Sequence, residues 1–129
     1  MLRKPGAYRS TPMLQKALSM LQKDEMDAWQ RPYWSDIRGA SLRNGHPAPF
    51  PVEVAERLIR MFSFAGDLVL DPFCGSGSTA TAAWRAGRNS LCSDIEKTYV
   101  EATVTRLRAE LGGQTVRAAH VGQLIHESA

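Results

Sequence analysis

The run Leu68-Val69-Leu70-Asp71-Pro72-Phe73-Cys74-Gly75-Ser76-Gly77-Ser78-Thr79 constrains the fold more than any other stretch of this chain. A short apolar segment ends in an acid, a Gly/Ser loop follows, and then an Ala-rich helical pattern. That order predicts a strand, a tight turn and a helix N-terminus, where nucleotide-like cofactors sit in open parallel sheets. The helix should run from about Ser78 to Arg85 and stop at Gly87. A second strand is expected over Asn89–Ser93, ending at Asp94. A helix over Lys97–Leu111 should close at Gly112-Gly113, and Thr115–Ala118 could form a third strand. Strands alternating with helices argue for parallel βαβ units, so the fold class is α/β.

Upstream, Thr11–Ala28 carries a capping Thr11, Pro12 at the first helical position and apolar residues at Met13, Leu14, Ala17, Leu18 and Leu21, which predicts one helix. Trp29–Pro51 is rich in Pro, Gly, Asn and aromatic residues and should be irregular. Its length is unusual for a structureless loop and suggests a binding role or missing partner contacts. Val52–Phe62 places Val54, Ala55, Leu58, Ile59 and Phe62 on one helical face. Glu53, Glu56, Arg57 and Arg60 fall on the other, as i,i+4 pairs in the favourable orientation.

At 129 residues the chain holds one small domain at most. Its basic charge is unevenly placed. Residues 1–45 carry eight Lys/Arg against four acids, and the remainder eight against nine. A basic leading segment suits contact with a nucleic-acid backbone, though a solvated basic surface explains it equally well. No apolar run approaches the roughly 20 residues of a spanning helix, so no membrane role is expected. Cys74 and Cys92 lie far apart without Cys-x-x-Cys or His-rich partners. They read as reduced thiols of a cytoplasmic protein rather than a disulfide or metal site.

The wording Asp-Pro-Phe-x-Gly-Ser-Gly-Ser-Thr resembles the S-adenosylmethionine loop of the amino-group DNA methyltransferases, which modify adenine N6 or cytosine N4. The likeness extends to His46-Pro47-Ala48-Pro49-Phe50-Pro51 before the loop and to Gly87-Arg88-Asn89, Ser93-Asp94-Ile95-Glu96 and Tyr99 after it. Tyr8-Arg9 and Trp34-Ser35-Asp36-Ile37 match more weakly. The order is that of the β group, in which the catalytic half and target-recognition region come first. The resemblance implies a partial Rossmann-like methyltransferase fold, a parallel sheet with flanking helices. Residues 1–45 would be a basic helix and connecting segment, and residues 46–129 the cofactor-binding half-domain.

Each residue type in the loop has a reason to be there. Backbone must approach the cofactor closely at Gly75 and Gly77, where a Cβ would intrude. The free N–H groups of the helix start, with the hydroxyls of Ser76, Ser78 and Thr79, can hold the methionine carboxylate. Asp71 can pair with the methionine ammonium, for which a phosphate-binding loop has no use. Phe73 offers an apolar face, and Cys74 lies within the loop itself. Asp94, about twenty residues further on, is placed to accept hydrogen bonds from ribose hydroxyls, and Ile95 could lid the adenine. Phe50 and Pro51 are implied to flank the methionine end. A dinucleotide fold is the rival, because Gly75-x-Gly77 and Ala80 imitate part of Gly-x-Gly-x-x-Gly/Ala, but the Asp-Pro-Phe lead-in fits it poorly.

The family's catalytic tetrapeptide, Asp-, Asn- or Ser-Pro-Pro-Tyr, occurs nowhere in the chain. Arg31-Pro32-Tyr33-Trp34 is the nearest imitation; it lacks the acceptor and the second proline. His46 is read as structural, so no residue is assigned a catalytic role. The missing motif would align the target amine on a flipped base. Leu68–Leu70 should then be an exposed parallel edge, to be covered by the rest of a longer enzyme, a catalytic partner subunit or a second copy. DNA is the implied macromolecular substrate.

Overall fold

Asp67 turns the chain out of an irregular corner and into the first of two parallel strands. The computed structural model describes residues 6–7, 9–39, 50–111 and 116–117. Its elements are α1 (Met13–Ala17), α2 (Lys23–Trp29), α3 (Val52–Phe62), β1 (Leu68–Asp71), α4 (Ser78–Arg85), β2 (Asn89–Cys92) and α5 (Lys97–Leu111). β1 and β2 pair in parallel, with Leu68 opposite Asn89 and Asp71 opposite Cys92. The expected α/β architecture is therefore present from α3 to α5, with boundaries within a residue of those read from the pattern. The proposed third strand falls largely outside the described residues, as do His46 and Gly112-Gly113; Val116 and Arg117 belong to no element.

α4 ends as its sequence predicts. Gly87 takes φ +71°, its N–H donates to the Trp84 carbonyl, and Arg88 N–H donates to that of Ala83. This pair of bonds satisfies two terminal carbonyls and reverses the chain toward β2. Arg88 then reaches back, buried, to the Ser63 carbonyl (2.8 Å) and hydroxyl (3.1 Å). The start of β2 is thereby fastened to the end of α3.

The core lies between α3 and α4. It is built from Ala55, Ile59, Ala82 and Ala83, with Val52, Val69 and Ala86 packed around them. The small residues let the two helices approach closely and cover one face of the sheet. The opposite face is bare: Leu68 is 65% exposed, Leu70 67% and Leu91 58%. Leu70 and Leu91 are register partners, so these side chains form one continuous apolar surface. β1 has no second neighbour among the described strands, as expected of an exposed edge.

The N-terminal region departs from the single predicted helix. The chain breaks after Ala17 and restarts at Lys23, and Pro12 precedes the first helix as its cap residue instead of occupying its first turn. The break lets polar groups anchor the corner before β1. Gln15 Nε2 donates to the Ala65 carbonyl (2.6 Å), the Ser19 hydroxyl accepts from Ala65 N–H (2.7 Å), and Arg9 bridges Asp67 (2.9 Å).

α3 also corrects the predicted faces. Arg57 is buried, whereas Leu58 and Phe62 are 44% and 57% exposed. The Arg57 guanidinium pairs with Asp36 (2.6 Å) and Glu53 (2.5 Å) and lies over the rings of Trp29 and Trp34. Two indoles and two carboxylates make a favourable seat for a planar cation. Arg60 bonds to Glu25 of α2 (2.8 Å) rather than to Glu56. Periodicity could not reveal this, because Asp36, Glu25 and the two tryptophans lie outside the helix.

Two stability tests follow from this packing. The Thr81 side chain is fully buried, and its hydroxyl has no partner among the described residues. Thr81→Val keeps the branched shape and should raise stability by up to about 1 kcal/mol in denaturant titration. Asp67 behaves differently. Burial opposes its ionisation, but bonds from Arg9 and the Phe64 N–H outweigh burial and hold the carboxyl below its ordinary 3.8. Its contribution is thus complete above that value and is lost as pH falls through the lower folded-state value. Asp67→Asn should be less stable than the parent at pH 6, with the difference vanishing in acid.

Candidate cofactor site

The strand ends, the Gly/Ser loop and the start of α4 converge at one edge of the molecule. Three backbone bonds close the frame: Ser93 N–H to the Asp71 carbonyl (2.9 Å), Cys74 N–H to that of Ser93 (2.9 Å) and Gly77 N–H to that of Cys74 (2.8 Å). Asp94 completes it from the side chain. One carboxylate oxygen accepts from Gly75 N–H at 2.8 Å, and the other from Glu96 N–H at 2.9 Å. The acid after β2 therefore shapes the loop after β1 and starts the turn into α5.

Of the residues singled out in the sequence, the structure gathers Asp71, Phe73, Cys74, Gly75, Ser76, Gly77, Ser78, Thr79, Asp94 and Ile95 around this frame. Asp71 Oδ1 accepts from Phe73 N–H (3.0 Å). Phe73 is 85% exposed and Ile95 98%, two large apolar side chains held out beside the strand ends. Phe50 is brought to the loop as well, because the Ser78 hydroxyl donates to its carbonyl (3.0 Å). That bond redirects one expected role: Ser78 is buried and its hydroxyl holds the Phe50–Pro51 segment, so its backbone N–H is what remains for a ligand.

Cys74 is buried beneath the loop and Cys92 is half-buried; both are free thiols, as expected. Burial pushes Cys92 up to about 11. Burial, with the charges of Asp94 and Asp71, also raises Cys74. Both shifts favour the protonated thiol over the nucleophilic thiolate.

The sequence reading predicted α5 but missed its hold on the loop. Thr103, buried, donates its hydroxyl to the Gly75 carbonyl (3.0 Å), and Arg106 Nη1 donates to that of Ser76 (3.2 Å). Thr103, Arg106, Leu107 and Glu110 recur at i, i+3, i+4 and i+7, the one signal that marks this inward face.

The site is open. A cleft of about 550 Å³ lies elsewhere, among Met20, Met26, Arg60 and Phe64, and another of about 370 Å³ is lined by Trp29, Glu53, Glu56, Arg57 and Arg85. Loop residues line neither of them.

A profile of the N6/N4 DNA methylase family matches residues 3–105. The chain belongs to this DNA methylase family. It is 38% identical over 94 residues to the type II methyltransferase M.MthZI of Methanothermobacter thermautotrophicus, a match covering 68% of this chain and 26% of that protein. It is 41% identical over 92 residues to M.ScaI of Streptomyces caespitosus, covering 70% and 30% respectively. Among solved structures, a putative DNA modification methylase from Thermus thermophilus, complexed with S-adenosyl-L-methionine, superposes with a TM-score of 0.78 at 40% identity. That match covers 92% of this chain and 45% of the Thermus chain. The fold is accordingly a partial Rossmann-like methyltransferase fold, and the chain spans less than half the length of these relatives.

The loop geometry is testable through Gly77, which precedes α4 at φ +78°. A Cβ there would lie 2.6 Å from Thr103 Cγ2. Gly77→Ala combines left-handed strain with this clash and should cost at least ~1–2 kcal/mol in denaturant unfolding, with amide shifts centred on the loop.

Proposed function

We propose that this chain is the S-adenosylmethionine-binding portion of a DNA amino-methyltransferase acting on adenine N6 or cytosine N4. The carrying observation is the joint placement of Asp71, the Gly75–Gly77 loop and Asp94 at the carboxyl ends of two parallel strands, in a family member whose Thermus relative is complexed with that cofactor. When bound, the cofactor supplies a methyl group on a sulfonium. Asp71 Oδ2 would take the ammonium, while the first N–H groups of α4, with Ser76 and Thr79, would hold the carboxylate. Asp94, which holds the Gly75 and Glu96 N–H groups, would also accept from the ribose hydroxyls. Phe73 and Ile95 would gain burial against the ligand, with Phe50 and Pro51 closing the methionine end.

The catalytic tetrapeptide must come from another segment or subunit, which would also cover Leu68, Leu70 and Leu91. A complementary half fits better than a second copy. Two-fold pairing of identical β1 edges within one sheet would set them antiparallel, whereas this sheet is parallel. For DNA, Arg9 is occupied by Asp67, so phosphate contact would fall to Lys16, Lys23, Arg31 and Arg38, which make no ion pair among the described residues. A non-catalytic cofactor- or DNA-binding module is the alternative, favoured by the lack of the tetrapeptide in this chain.

Calorimetric titration with S-adenosylmethionine, with solution mass recorded on the same sample, tests the reading. Saturable binding is expected, weakened by roughly 1–3 kcal/mol in Asp94→Ala. No binding at millimolar cofactor would overturn it, and unchanged affinity in the variant would remove Asp94 from the site. A dimeric mass would argue for a second copy over a complementary half.

A further inference from the structure

Among the described residues, Ser76 N–H has no acceptor in the protein. Its orientation is nevertheless fixed. A trans peptide is planar, so its N–H and C=O point in opposite directions. The carbonyl of the Gly75–Ser76 peptide accepts from the Thr103 hydroxyl of α5 at 3.0 Å. The next carbonyl, that of Ser76, accepts from Arg106 on the same helix face at 3.2 Å. Both carbonyls are therefore turned toward α5, and the Ser76 N–H is aimed away from it.

The contact is close as well as polar. Thr103 is only 4% exposed, and a Cβ on Gly77 would meet its Oγ1 at 2.8 Å. Arg106 is steadied by Glu110 (3.0 Å), which also pairs with Arg85 of α4 (3.3 Å). The loop is thus gripped between the Asp94 carboxylate at the Gly75 N–H and two α5 side chains at the following carbonyls.

We propose that Thr103, assisted by Arg106, is a positioning residue: it sets the Gly75–Ser76 peptide so that the Ser76 N–H faces the ligand's carboxylate. The inference rests on the cofactor reading above. Thr103 touches no ligand in this scheme; it acts through the peptide it holds. Without its hydroxyl the Gly75 carbonyl loses its partner, and that peptide is free to rotate. A free donor preset by the fold binds an anion without first being ordered, so removing the brace should weaken affinity more than global stability.

The test compares Thr103→Val, Thr103→Ala and Thr103→Ser in the full chain. Cofactor affinity is read by calorimetry, and amide exchange across residues 75–77 is read on the free protein. Val and Ala should weaken S-adenosylmethionine binding roughly three- to tenfold, the loss of one hydrogen bond, and accelerate exchange at Gly75 and Gly77, whose N–H groups are bonded to Asp94 and to the Cys74 carbonyl. Ser keeps the hydroxyl and should stay within about twofold of the parent in both. The Ala variant removes bulk, so it reports even if Val is too crowded to fold. Unchanged exchange at Gly75 and Gly77 in both Val and Ala overturns the brace. Weakening in Ser equal to that in Ala overturns the role of the hydroxyl. A parent chain that binds no cofactor overturns the reading of the site, while the exchange data still decide whether Thr103 sets the loop.

Discussion

The Asp94 carboxylate is the group on which the rest of the site depends. A Gly/Ser loop has little stiffness of its own, since glycine gains from folding only what its neighbours impose. Asp94 imposes it from across the sheet, holding Gly75 N–H with one oxygen and the N–H of Glu96 with the other. The same residue thus fixes where β1 ends, how the loop turns and where α5 begins. α5 then returns over the loop and holds its carbonyls through Thr103 and Arg106. Loop, strand ends and helix form one closed hydrogen-bonded circuit.

Outside that circuit the chain has a thin core. Alanines carry most of the α3–α4 contact, which brings helices close but buries little apolar area per residue. Polar anchoring supplements it. Arg57 between two indoles, Arg60 on Glu25, Arg9 on Asp67 and Arg88 on Ser63 join segments that share few apolar contacts. Arginine suits this work because a planar fork satisfies several acceptors at once and stacks on aromatic faces.

The uncovered sheet face carries the clearest functional implication of the fold. Leu68, Leu70 and Leu91 form an apolar surface beside a parallel edge that no other described strand pairs, an arrangement that exposed strands ordinarily avoid. The chain matches 45% of the Thermus methylase. The complementary half proposed above would extend the sheet from β1, cover the leucines and wall in the candidate cofactor site. Fold completion and site completion would then be the same event.

Much of this was legible before any coordinates. The Leu68–Thr79 run, the Ala-rich helix and Asp94 after a short strand determined a β–α–β unit, its boundaries and the cluster of loop residues, because these signals are local: apolar period, glycine in left-handed turns, a cap at a helix end. The break between α1 and α2, the burial of Arg57 and the exposure of Leu58 and Phe62 were not legible, because each depends on partners 20 or more residues away, such as Asp36, Glu25 and Ala65. The same limit hid Ser78's bond to Phe50 and α5's grip on the loop. Sequence by itself determined which residues could serve a cofactor. Only the tertiary structure decided which of their atoms are left free to do so, because a hydroxyl, carboxylate or peptide can be aimed only by the group it bonds from across the fold.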